Sequence, residues 1–327
     1  MRLLVLLPTL LLAAHSQAAT PELTVYTYDS FAADWGPGPK VRTAFEKECG
    51  CQLKFVPLED GVAILNRLKL EGAHSKADVV LGMDEAMLAD ARKSALFVEH
   101  KVDLSPLQIP GGWQDKTFLP FDYGHFAFVY DSSKLKQPPT SLQDLAARHD
   151  LRVIYEDPRT STPGQGLMLW AKQTLGAQAP AFWQQLAKHT VTVTKGWSEA
   201  YGMFLKGEAD VVLSYTTSPA YHRLAENKTQ YRAAMFEHGH YRQVEVAAQL
   251  KNAPQPQLAA RFMQFILSPD FQNLIPQGNW MYPVTAVKLP EGFDQHEQPT
   301  HSLHFSEAQI AAGRKAWLQE WRQAVSR

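Results

Sequence analysis

Asp210-Val-Val-Leu-Ser-Tyr-Thr-Thr-Ser-Pro-Ala-Tyr221 reads as a buried strand, a hydroxyl-rich turn and the start of a helix in one run. A continuous apolar, β-branched stretch favours a strand covered on both faces. Proline early in a helix fits the first turn, whose N–H groups have no partner inside the helix. The same unit recurs upstream. Leu23-Thr-Val-Tyr-Thr-Tyr28, Gln52-Leu-Lys-Phe-Val-Pro-Leu58 and Ala77-Asp-Val-Val-Leu-Gly82 predict the first three strands, with Val41 and Phe45, then Val62, Leu65 and Leu68, at helical spacing between them. A second set begins at Phe126-Ala-Phe-Val-Tyr130 and continues with Arg152-Val-Ile-Tyr155, Thr190-Val-Thr-Val-Thr194 and the 210–214 run, separated by helical patterns at 167–175, 181–188 and 199–206. Beyond Gln243-Val-Glu-Val-Ala-Ala248 the pattern turns helical, with Phe262, Phe265 and Ile266, then Ile310, Trp317 and Trp321, on helical faces. Strands alternating with helices define an α/β chain. We divide it into a first lobe of residues 19–123 with 249–327, on which the last helices pack back, and a second lobe of residues 124–248. Strand crossings between the lobes are predicted near 123–128 and 244–248.

Residues 1–18 are excluded from the fold. Met1-Arg2, an apolar run from Leu3 to Ala14 and the ending Ser16-Gln17-Ala18 have the charge, length and small residues of a cleavable secretory signal, and the run is too short to span a bilayer. Cleavage after Ala18 leaves no cysteine at the new terminus to accept a lipid, so the expected product is exported and unanchored. Loss of Arg2 lowers lysine plus arginine from 32 to 31 against 33 acidic residues, for a formal charge of −2. That balance argues against nucleic acid or an anionic membrane surface as partner. The two cysteines, Cys49 and Cys51, flank Gly50, and an oxidising compartment favours a disulfide that closes too small a loop to stabilise much. No other cysteine or nearby histidine cluster completes a metal or redox site there.

In open α/β sheets ligands bind beyond the carboxyl ends of the strands. Here those ends carry Tyr28-Asp29-Ser30 leading to Trp35-Gly-Pro-Gly38, then Glu59-Asp60-Gly61, Asp157-Pro-Arg-Thr-Ser-Thr-Pro-Gly164, Lys195-Gly-Trp-Ser198 and the 214–221 turn, with a late loop Gly278-Asn-Trp-Met-Tyr-Pro283. Thr162-Pro163 and Ser218-Pro219 each predict a hydroxyl N-cap followed by proline at the first helical position. A hydroxyl there caps its own helix. The helix start also offers N–H groups to an anionic or hydroxyl tail, at Ser161, Thr162 and the Tyr215-Thr216-Thr217-Ser218 segment. Asp60 is equally an N-cap for the helix from Val62 or a counter-charge for a cation. Tyr28, Trp35, Trp197, Tyr215, Tyr221 and Trp280 all fall at strand ends or in Gly/Pro turns. Singly each is explained by packing; together they form an aromatic box, which holds planar rings by stacking and cations by cation–π attraction worth about 0.5–2 kcal/mol per ring. The deduced ligand is a flat, cationic small molecule with a polar tail.

At these residues the chain resembles the periplasmic thiamine-binding proteins. The run Thr24-Val-Tyr-Thr-Tyr-Asp-Ser-Phe-Ala-Ala-Asp-Trp-Gly-Pro-Gly-Pro39 is similar to that family's N-terminal signature, and the likeness extends through Leu58-Glu-Asp-Gly61, Phe121-Asp-Tyr-Gly124, 157–164, 192–201, 213–222 and 278–283. The resemblance implies a type II periplasmic-binding-protein fold whose two domains close about a hinge, and the solute receptor of a thiamine ABC importer, with no catalytic residue, cofactor or metal. It carries ligand contacts onto Asp60, Gly61, Ser161, Thr162, Trp197, Tyr215, Thr216, Thr217 and Ser218, with Tyr28, Trp35, Tyr221 and Trp280 as ring walls. The implied partners are thiamine, its monophosphate and diphosphate, and an inner-membrane permease, and the implied state is a periplasmic monomer.

Three rivals share parts of this pattern. A ferric-ion receptor uses paired tyrosines with His and Glu, but Tyr215 is followed by threonine, and Glu237-His-Gly-His240 is a His-x-His of the kind that is ordinarily solvated. A polyamine receptor wants several carboxylates along the groove. A thiaminase-like enzyme needs a cysteine nucleophile with a carboxylate base, and Cys49 and Cys51 fall at the far end of their helix.

Overall fold

The computed structural model describes residues 19–326, and the predicted leader lies outside the described residues. The chain runs through β1 (Glu22–Tyr28), α1 (Asp29–Ala32), α2 (Gly38–Cys49), β2 (Gln52–Leu58), α3 (Gly61–Glu71), β3 (Val79–Asp84), α4 (Leu88–Lys93) and β4 (Leu119–Asp131). It continues with α5 (Leu142–Ala147), β5 (Val153–Glu156), α6 (Thr162–Leu175), α7 (Ala179–Leu186), β6 (Thr190–Thr194), α8 (Trp197–Leu205), β7 (Val211–Tyr215), α9 (Ser218–Ala225), β8 (Tyr231–Ala234) and β9 (His240–Gln249). The end comprises α10 (Pro256–Phe265), α11 (Pro269–Gln272), the short β10 (Tyr282–Pro283) and β11 (Ser302–Leu303), and α12 (Glu307–Val325). The main path of strands is β2-β1-β3-β9-β4-β7-β5-β6. β1 is parallel to β2 and β3, and β5 to β6 and β7, whereas β9 and β4 run antiparallel to each other and to β3 and β7 respectively; the short β11 pairs parallel with β9. This is the mixed α/β architecture read from the 210–221 unit.

β4 joins the two halves. Its residues up to His125 pair with β9, and from Phe126 it pairs with β7, so one predicted crossing, 123–128, contains the change of partner. The other differs from expectation: residues 244–248 pair with β3 and β4 inside the first half, and the return passage precedes them, between β8 and the start of β9. β3 is displaced by two residues from the predicted strand because Asp78 is spent as a brace, its carboxylate accepting from the Thr24 and Gln255 N–H groups.

Each half has its own core. Val25, Phe31, Phe45, Leu81, Phe121, Phe262 and Phe271 fill one, and Phe126, Phe128, Trp170, Trp183 and Leu213 the other. α10 packs on the first half as expected. α12 does not: Ile310, Trp321 and Ala324 enter the second core, the Trp321 indole N–H donates to the Tyr155 hydroxyl (3.2 Å), and Lys172 pairs with Glu320. Arg314–Asp90 and Arg92–Glu307 pairs tie the same helix to α4. An apolar helical stripe announces burial, but several concave faces can supply it. Cys49 and Cys51 are disulfide-bonded across Gly50. Among the described residues no helix is long and apolar enough to cross a membrane.

His240 is buried rather than solvated, its Nδ1 donating to the Phe126 carbonyl (2.7 Å) and its Nε2 accepting from the Phe236 N–H (2.9 Å). A second ring proton would collide with the Phe236 donor, and burial lowers the imidazole from its ordinary value to about 4. Below about 6.5 the unfolded histidine binds a proton that the native ring refuses, so this contribution is present above pH 6.5 and is lost as pH falls toward 4. Thermal unfolding across that window should therefore fall less steeply with acid in H240Q than in the wild type; equal slopes would remove His240 as the titrating group.

Candidate ligand-binding cleft

The strand ends of both halves open onto a cleft of about 520 Å³. Tyr28, Trp35, Asp60, Trp197, Tyr215, Ser218, Tyr221 and Trp280 line it, so the strand-end aromatics that the sequence singled out do converge. Trp35 stands 58% exposed at the mouth, 6.4 Å from the Trp197 ring, which in turn stacks on Tyr201 at 4.9 Å and 20°. On another wall Tyr221 meets Trp280 edge to face at 5.4 Å. Trp197 is also fixed by its indole N–H, which donates to Ser214 Oγ (2.8 Å); that hydroxyl in turn bonds Ser218 Oγ (2.7 Å).

Trp280 is aimed by strained backbone. A π-helical turn over Ile275–Asn279 delivers it in the left-handed region, φ 57°, which a bulky residue rarely adopts without surroundings that enforce it. Gly278 in that turn is required sterically, since a Cβ would sit 2.8–3.1 Å from Pro37 atoms.

Asp60 combines a capping role with one that neither expectation foresaw. It caps α3 through Gly61 N (2.7 Å) and also crosses the cleft: Oδ1 accepts from Thr162 N (3.2 Å), and Oδ2 from Ser161 Oγ (2.9 Å) and Trp197 N (3.4 Å). Burial pushes its carboxyl up, and the Gly61, Ser161 and Thr162 donors pull it back toward ionisation. Gly61 permits the approach, as a Cβ there would lie 2.2 Å from the Gly82 carbonyl oxygen. Further bonds bridge the halves at this edge, among them Ser198 Oγ to Asp29 (2.8 Å), Ala63 N to the Thr160 carbonyl (3.1 Å) and Asn66 Nδ2 to the Arg159 carbonyl (3.1 Å). The two halves are thus in direct contact across this edge of the cleft.

The helix starts are shifted by one residue from the predicted caps. α6 is capped by Ser161, whose Oγ accepts from Gly164 N, and α9 begins at Ser218 after Thr217, without a side-chain cap. The Ser218 hydroxyl instead accepts from Tyr215 N (3.2 Å). Gly61, Ser161, Thr162, Thr216 and Thr217 lie buried behind the lining rather than in it; the Thr216 and Thr217 hydroxyls have no hydrogen-bond partner among the described residues.

Sequence reading did not place Asp29, Glu59, Tyr201, Glu245 and Asn279 in the site, and all of them line the cleft. Glu245 alone carried a signal, an acid inside the apolar strand run 244–248. With them the cleft holds four acidic side chains, Asp29, Glu59, Asp60 and Glu245, and no lysine, arginine or histidine among its described lining. Aromatic walls over uncompensated acids suit a flat cation. No group of His, Cys, Asp or Glu able to hold a metal occurs among the described residues, and neither cysteine lines the cleft.

Residues 26–273 match the model of the bacterial extracellular solute-binding proteins. The chain is 61% identical to the thiamine-binding periplasmic protein of Escherichia coli (strain K12) over 98% of both chains. Among solved structures it is similar to a periplasmic thiamin binding protein, with a TM-score of 0.93 and 61% identity over 94% of this chain and 97% of that one. A ferric binding protein from Campylobacter jejuni aligns with a TM-score of 0.77 over 92% and 99% at only 17% identity, a likeness of fold alone.

Proposed function

We infer, from the premise that this chain belongs to the bacterial extracellular solute-binding proteins and within them to the thiamine-binding periplasmic proteins, that it is the periplasmic thiamine receptor of an ABC transporter. It is a binding protein and not an enzyme. The observation that carries this reading is the cleft itself: Trp35, Trp197, Tyr221 and Trp280 around acids with no basic residue in the described lining. Thiamine matches it piece by piece. The aminopyrimidine is a ring to stack, the thiazolium a fixed cation, and the hydroxyethyl arm a polar tail.

The finer reading is that the arm, free or carrying one or two phosphates, lies toward the starts of α6 and α9, where Ser218 lines the cleft and Ser161, Thr162, Thr216 and Thr217 stand just behind it. Tyr28, Asp60, Gly61 and Tyr215 complete the set. Ligand contact with both halves drives closure, because only contacts that differ between open and closed forms shift that equilibrium. The protein acts as a monomer, exported by its cleaved leader, and hands the vitamin to an inner-membrane permease.

Calorimetric titration of the refolded protein with thiamine, its monophosphate and diphosphate, spermidine and ferric citrate tests this. One-to-one binding confined to the thiamine compounds is expected, and their ranking reports on the tail. Binding of iron or spermidine in their place would overturn the reading.

A further inference from the structure

Where the connecting strands pass beneath the cleft, two carboxyl groups meet. Asp122 on β4 and Glu245 on β9 are register partners, and Asp84 on β3 stands in register with Glu245 on its other side. Both members of the pair are buried, yet Glu245 lines the cleft while Asp122 lies behind it. Asn279 Nδ2 donates to Asp122 Oδ2 (2.6 Å) and to Glu245 Oε2 (3.3 Å), and the Tyr28 hydroxyl donates to Glu245 Oε2 (2.9 Å). These donors reach only one oxygen of each carboxyl. Asp122 Oδ1 is buried with no hydrogen-bond partner among the described residues, and the one Asn279 amide, reaching both carboxyls, holds them side by side.

Two buried carboxyls in register that share one amide donor, with no cation between them, do not both ionise, so one proton is kept by the pair. Burial first, and the partner's charge second, push Glu245 well above the usual carboxylate range, and burial lifts Asp122 to about 7. The other groups facing Glu245 are Tyr28 from β1, Asn279 from the π turn, Tyr215 from β7 and Asp60 from the start of α3. None is basic. Arg314 from α12 acts on Asp84 instead and pairs with Asp90.

We propose that the Asp122–Glu245 pair is the charge sensor of the cleft: it keeps one proton until a cationic ring settles between the aromatic walls, then releases that proton to solvent, leaving Glu245 as the counter-charge that favours a cation over a neutral ring. The proposal rests on the thiamine reading. In the step the O–H bond of the shared proton breaks, the proton passes to bulk buffer, and both carboxylates are left ionised beside the ligand's positive charge. Asp60, whose oxygens are already taken by four donors, is left to hold the two halves together. Release on binding means that cation affinity rises with pH through the neutral range and levels off once the pair is ionised in the free protein.

The test is calorimetric titration of the wild-type protein with thiamine near pH 7 in buffers of differing ionisation enthalpy, which needs no variant. The apparent binding enthalpy should vary with buffer, showing net release of up to about one proton. E245Q should abolish that dependence and weaken thiamine roughly ten- to hundredfold, while a neutral aminopyrimidine lacking the thiazolium loses much less. D122N, which denies Glu245 its partner, should also shrink the release. Thiamine binding with buffer-independent enthalpy, or E245Q that still releases the proton, would overturn the sensor and leave the receptor standing. Failure of thiamine to bind the wild type at all would overturn the receptor and the sensor with it.

Discussion

Asp60→Ala is expected to weaken thiamine binding by a hundredfold or more and to leave the protein open. The substitution strands four donors, Gly61 N, Thr162 N, Ser161 Oγ and Trp197 N, three of which lie across the cleft from Asp60. Hydrogen bonds to a buried charge contribute about 1.5–3 kcal/mol each, so even partial replacement by water removes about 3 kcal/mol from the closed form, and each 1.4 kcal/mol is about tenfold in affinity. The loss reaches the ligand because a smaller closed fraction lowers apparent affinity in proportion. Asp60→Asn keeps one acceptor oxygen and should fall between, near tenfold. Calorimetry gives the affinities, and small-angle scattering the shape: the wild type should contract on adding thiamine, and the alanine variant should have a larger radius of gyration at equal ligand. Alanine binding within threefold of wild type would refute the clasp. Asn as harmful as Ala, with a neutral pyrimidine unaffected in both, would make Asp60 a counter-ion instead.

Trp197→Ala should cost about as much for a different reason. Its ring fills the space between Trp35 and Tyr201, and its indole N–H anchors the Ser214–Ser218 hydroxyl pair at the start of α9. Removing a central aromatic anchor from a ligand site commonly costs about 2 kcal/mol or more, a loss of roughly thirty- to several-hundredfold here. Trp197→Phe keeps a stacking face and loses the N–H, so about a tenfold loss is expected. Calorimetry with thiamine separates the two. A phenylalanine variant as weak as alanine would show that the hydroxyl anchor, rather than the ring face, carries the effect, and an alanine variant near wild type would exclude Trp197 from the ring walls.

Local chemistry made much of this legible. Val211-Val212-Leu213 forms a strand because apolar β-branched residues bury well on both faces of a central sheet, and 52–58 and 190–194 match the observed strands at both ends. Proline at 163 and 219 marked two helix starts, though the caps fell one residue earlier, at Ser161 and Thr217, because a hydroxyl can serve the helix or the preceding turn with equal chemistry. The aromatics were found because Gly/Pro turns at strand ends expose what they carry. Glu245 and Asn279 were missed because their meaning depends on distant partners. Asn279 meets Asp122 and Tyr28 at separations of 157 and 251 residues, and Glu245 meets Asp122 only through strand pairing.

The sequence by itself determined the alternation of strands and helices, the position of Tyr28 and Tyr215 at strand ends and of Trp35, Trp197, Tyr221 and Trp280 in turns or helix starts, and the aromatic, acidic character of the ligand site, since each follows from local periodicity and turn chemistry. Only the tertiary structure decided that Asp60 binds across the cleft, that α12 covers the second core, that His240 is buried, and that Asp122 meets Glu245. Those features depend on which distant groups share a desolvated space, and the strength and even the charge of a polar side chain is set by that space rather than by its neighbours in sequence.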